Sequence, residues 1–87
     1  MSSNDSHPRT RLNNILQGIY GPSAQDHVRW EVNSQGPPNA LVWYASVYID
    51  DMNYGTASTR TRGGALDGAA EQACEHLSHE RPPGSRR

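Results

Sequence analysis

Two arginines and two glycines, Arg60, Arg62, Gly63 and Gly64, stand together just before an alanine-rich stretch, AAEQA. Cations beside a bare backbone suit an anion, because the free N–H groups and dipole of a helix start favour negative charge. Adjacent glycines are otherwise costly in a helix, on the order of 1 kcal/mol each relative to alanine. A second chemistry-bearing set is Cys74, His76 and His79. These are zinc-ligand types, but Cys74 falls on the apolar stripe of its helix and the histidines diverge from it, so the cysteine reads as a small core residue. Asp50-Asp51 reads as a turn and not as a catalytic pair. No phosphate loop with a lysine and no Ser-His-Asp arrangement is legible. The chain is therefore expected to be non-enzymatic, with no cofactor, no metal and no small-molecule substrate.

The bulk properties narrow the partners. The 87 residues carry nine acids and eight arginines, with no lysine, for a net charge of −1. Dedicated nucleic-acid binders are usually basic overall, so the balance speaks against a strong one. The single cysteine cannot form an internal disulfide, which agrees with a reducing compartment. No apolar run approaches the roughly 20 residues of a membrane span, and the first residues lack a signal-peptide core. The expectation is an intracellular protein, cytoplasmic or nuclear, that does not bind membranes.

The elements that must position these residues follow from periodicity. Leu12, Ile15, Leu16 and Ile19 recur at helical spacing, which predicts an amphipathic helix over 11–19, with Thr10 as N-cap and Gly21-Pro22 as its stop. Val28, Trp30 and Val32 alternate with polar residues as a half-buried strand. After the turn SQGPPN, Leu41, Trp43, Ala45, Val47 and Ile49 share one face of a second strand. A turn at 50–53 leads to a short third strand, YGTAS. A last helix, from about 61 to 78, buries Leu66, Ala69, Ala70, Ala73, Cys74 and Leu77. The order helix, three antiparallel strands, helix predicts an α+β two-layer sandwich, α-β-β-β-α, with both helices on one face of the sheet. Trp30, Trp43, Val47, Ile49, Ala69 and Ala73 are expected between the layers. Small residues in the third strand and alanines in the last helix allow the two to approach closely. Residues 1–7 and 81–87 read as polar tails around a single domain, 8–80.

With these elements placed, the chain resembles a double-stranded RNA-binding domain over roughly residues 8 to 79. The family's first helix begins Leu-Asn-Glu before a Gln, and here Leu12-Asn13-Asn14 precedes Gln17. Its strand-to-strand loop is Gly-Pro-any-His, where this chain has Gly36-Pro37-Pro38-Asn39. Trp43, Val47 and Ile49 follow at the family's offsets, and Ala65, Ala69-Ala70, Ala73 and Cys74 fit its last helix. The resemblance implies RNA recognition by shape, across two minor grooves and the intervening phosphates over about 16 base pairs. It implies a first-helix contact through Asn13, Asn14 and Gln17, and a loop contact through Gly36, Pro37 and Asn39. It also implies a phosphate clamp at Arg60, Arg62, Gly63 and Gly64. The clamp departs from the family pattern Lys-Lys-any-Ala-Lys, aligned with Arg62-Gly63-Gly64-Ala65-Leu66: one cation of three remains. Binding is therefore expected to be weak and salt-dependent, and a lysine at position 66 is expected to strengthen it.

An alternative function is protein–protein association, as a homodimerisation or adaptor module. Tyr44 and Tyr48 point to the outer sheet face beside Val42. The third strand, with Tyr54, Gly55 and Ala57, offers a sheet edge that carries no lysine or proline to block pairing.

Overall fold

The computed structural model describes residues 7–80, so the expectations about tails at 1–6 and 81–87 lie outside the described residues. Its elements are α1 (Pro8–Tyr20), α2 (Ala24–His27), β1 (Val28–Gln35), β2 (Val42–Ile49), β3 (Met52–Thr59) and α3 (Arg62–Glu80). The three strands form one antiparallel sheet in the order β1-β2-β3. The expected α-β-β-β-α fold is what the chain adopts, with short helical turns, including α2, added between α1 and β1.

α1 starts earlier than its apolar stripe suggested. Pro8 occupies the first turn and His7 is the N-cap, so Thr10 lies inside the helix and caps nothing. Proline suits that position because its missing N–H is not needed in the first turn and its φ is already helical. Gly21 ends α1 as expected: its φ of 66° is left-handed, and its N–H donates to the Gln17 carbonyl.

The core lies where α3 meets β2 and β3. Val47 and Ile49 are fully buried, as are Ala65, Ala69, Ala70 and Ala73 of α3. The close approach predicted from small residues is present. A Cβ on Gly55 would run into the Ala69 carbonyl oxygen, and one on Gly68 would sit 2.6 Å from the Ala57 Cβ. Cys74 is 3% exposed and its Sγ lies 3.9 Å from the Pro8 carbonyl, which ties the start of α1 to α3. Burial pushes the Cys74 thiol above its ordinary value.

Two core expectations need correction. Trp30 and Trp43 are half-buried and pack against the margin of the core instead of lying between the layers. α3 covers β2 and β3, while α1 rests mainly on α3 and touches the sheet little, so β1 and Trp30 are left partly open. Trp43 pairs with Ser34 and Thr59 at the end of the sheet where α3 only begins.

The third strand differs most from its sequence reading. It starts at Met52, because the hairpin needs only Asp50 and Asp51 as turn residues. Both have positive φ, 53° and 69°, the conformation that two-residue hairpins require and that Asp tolerates. One step further the register shifts: Tyr48 pairs with Asn53 and Val47 with Gly55, leaving Tyr54 as the extra residue of a bulge. Tyr54 and Gly55 are consequently both buried although they are neighbours.

Candidate nucleic-acid interface

The start of α3 explains the glycine pair. The Thr61 hydroxyl accepts a hydrogen bond from the Gly64 N–H at 3.0 Å, and Thr61 in turn exchanges bonds with the Thr59 hydroxyl. A Cβ on Gly64 would lie 2.7 Å from Thr61 Oγ1 and 2.8 Å from Thr59 Oγ1, so the cap requires glycine there. Gly63 has nothing within 4 Å of a hypothetical Cβ. The expectation that both glycines offer free N–H groups to an anion is thus corrected at Gly64, whose N–H the cap has taken. The open part of the turn is Arg62 and Gly63.

Arg60 and Arg62 are exposed, and Arg62 forms no ion pair among the described residues. Leu66, one turn further, is 8% exposed and belongs to the core. A lysine there would lose apolar packing before it gained a phosphate, so position 66 is not the place to restore a cation.

Asn13, Asn14 and Gln17 are all exposed on α1. Asn13 and Arg62 share a groove of about 440 Å³ that lies between α1, β1 and the start of α3. Its floor is apolar, formed by Leu12, Leu16 and Leu66, and Trp30 and Val28 of β1 form one wall. Arg9 and Gln25 stand at the rim. Arg9 is neutralised by Asp67 at 2.7 Å, so among the described residues the positive charge at the groove without an acidic partner is Arg62. The loop bearing Gly36, Pro37 and Asn39 is exposed, with Gly36 at φ 106° packed close to the Ala40 carbonyl. The pairing of Ser34, Trp43 and Thr59 across the sheet puts this loop at the same end as Arg60 and Arg62. Neither the loop nor Asn14 and Gln17 line the groove itself.

The residues expected at a protein interface divide. Tyr44 is 39% exposed on the outer face, and Tyr48 lies under the Arg29 guanidinium at 4.6 Å. Tyr54 is turned inward instead: its hydroxyl donates to the Glu80 carboxylate at 3.0 Å and its ring packs on His76. The space that Gly55 leaves is filled by α3, not open to an incoming strand, and Ala57 lies against Gly68. The edge of β3 is partly closed as well, because the Thr56 N–H donates to Gln72 Oε1 of α3 at 3.2 Å. Edge protection comes from the helix, which the strand's own residues could not reveal.

A cluster missed in the sequence sits at the opposite end of the sheet. His27 stacks on Tyr20 with ring centroids 3.8 Å apart, and its Nδ1 lies 2.7 Å from Asp50 Oδ1. The Tyr20 hydroxyl donates to Asp50 Oδ2 at 2.8 Å. The Asp50 N–H also donates to the His27 carbonyl. The trio works as a clasp between the α1–β1 connection and the β2–β3 turn. The hydrogen bonds from His27, then Tyr20, hold the Asp50 carboxyl below its ordinary value of 3.8. A carboxylate lowered on folding stabilises above its unfolded value, and that contribution disappears as pH falls through the lower folded value. Asp50→Asn, which keeps a residue tolerant of positive φ, is expected to lower the urea midpoint at pH 7. The gap to the wild type should close on acidification below 3.8. A gap unchanged at pH 2.5 would mean that the carboxylate charge is irrelevant to the clasp.

No protein-family model matches the chain, and a search of curated proteins returns no similar sequence. Among the described residues no helix is long and apolar enough to cross a membrane.

Proposed function

We propose that this domain is a non-catalytic, double-stranded RNA-binding module that reads duplex shape weakly, inside the cell. The observation that carries the reading is the joint placement of Asn13 and Arg62 on one groove, with the Gly36–Asn39 loop at the same end of the sheet as Arg60 and Arg62. A shape reader needs such a combination: amides for 2′-hydroxyls, a loop for a second minor groove, and a cation for the phosphates between them. The reading is tested by titrating a 20-base-pair RNA at low salt. Arg62→Ala is expected to weaken binding equally for all duplex sequences and to reduce the salt slope by about one. Gly63→Lys adds a cation where a side chain meets open space, and is expected to tighten binding and steepen the slope by about one. Unchanged binding in both variants would move any RNA contact to another face.

A second reading is homodimerisation, favoured by Tyr44, Tyr48 and Val42 on the sheet face opposite α3. With Gln72 on the β3 edge, such a dimer would use the face and not strand pairing. Light scattering at high micromolar concentration should then report twice the monomer mass, and Tyr44→Asp, which faces Asn33 and Ser58 and no cation, a folded monomer, because an unpaired buried charge opposes association. A monomeric wild type would remove this reading.

A further inference from the structure

We propose that the groove between α1 and β1 holds one unpaired nucleobase of a structured RNA, stacked on Trp30 with its phosphate at Arg62. The proposal rests on the RNA reading above and names a feature that a uniform duplex lacks. The groove arises because α3, built of alanines and glycines, seats closely on β2 and β3, while α1 leans on α3 and leaves β1 partly uncovered. Its volume of about 440 Å³ falls within the range of about 300–1,000 Å³ usual for small-ligand sites, and Leu12 and Leu16, 1% and 2% exposed, make a rigid floor.

The chemistry of the lining favours a nucleotide over an apolar peptide. An indole offers a flat stacking surface that accepts any base. Asn13 and Gln25 each present an amide, donor and acceptor together, which matches the hydrogen-bonding edge of a base. Asp67 already neutralises Arg9, so among the described residues Arg62 is the positive charge left at the mouth, and a single backbone phosphate matches it. A paired base cannot enter, because its edge is occupied and its faces are stacked. A bulged or looped-out base costs least to deliver.

The test compares two probes, a blunt 20-base-pair RNA and the same duplex with one central bulged adenosine, on protein carrying Trp43→Phe so that Trp30 alone reports by fluorescence. The bulged probe is expected to bind about 10-fold more tightly, since stacking of one base on an aromatic ring contributes about 1–3 kcal/mol. It should also quench Trp30, whereas the blunt probe leaves the emission unchanged. Gln25→Leu, at an exposed rim position that leaves the core intact, should reduce the preference several-fold, and Trp30→Ala should abolish it. Equal affinity for the two probes without quenching overturns the proposal and leaves duplex binding standing. Failure of both probes to bind at low salt overturns the RNA reading with it. Quenching of Trp30 that rises with protein concentration alone, accompanied by a doubled mass, assigns the groove to a second copy of the chain and also overturns the proposal.

Discussion

Gly55→Val should strip the domain of a large part of its stability at 25 °C. Even the first added atom, a Cβ, meets the Ala69 carbonyl oxygen at less than contact distance, and the Ala73 backbone nitrogen follows at 3.0 Å. These are backbone atoms in the middle of α3, so no rotamer change relieves the clash; the helix must lift from the strand. Overpacking in a core typically costs about 1–3 kcal/mol and occasionally more, and displacement of a whole helix belongs at or above the upper end. A domain of this size has on the order of 5–10 kcal/mol to lose. Gly63→Ala is the matched control, because its Cβ meets nothing and alanine favours the helix by up to about 1 kcal/mol. Circular dichroism with urea titration reads both: a collapsed midpoint for Gly55→Val, an equal or higher one for Gly63→Ala. A Gly55→Val protein with a wild-type midpoint would show that α3 does not seat its Ala69–Ala73 backbone against Gly55.

Leu16→Ala should cost about 2–5 kcal/mol, the usual range for truncating a fully buried leucine. Leu16 is 2% exposed, and with Leu12 it supplies the buried residues of α1. Because α1 rests on α3 more than on the sheet, part of the loss should appear as local release of α1. Hydrogen exchange should therefore accelerate at α1 amides more than at those of β2, and RNA affinity should fall with the groove floor. Uniform acceleration across the protein would instead mean that α1 belongs to the same cooperative unit as the sheet.

The candidate site was partly legible. Asn13, Asn14 and Gln17 were recognisable as the polar side of an amphipathic helix, and all three are exposed. Arg62 was recognisable as a cation at a helix start. That Arg62 faces Asn13 and Trp30 across a groove was not, since these residues come from three elements and meet only after packing. The Tyr20–His27–Asp50 clasp left no signal, because its members are separated in sequence and one of them was needed for a turn on other grounds.

Periodicity by itself determined the order of elements, the apolar faces of α1, β1, β2 and α3, and the close seating of α3 on small residues. Each of these is written in side-chain size and spacing along one element. Tertiary structure decided what two elements do together: the inward turn of Tyr54 at a bulge, the half-exposure of Trp30, and the covering of the Thr56 N–H by Gln72. Alternation predicts a strand's faces only while its register holds, and one extra residue in β3 reverses them. Whether β1 is covered depends on where α1 comes to rest, and the stripe of α1 states that it must be buried without stating against what.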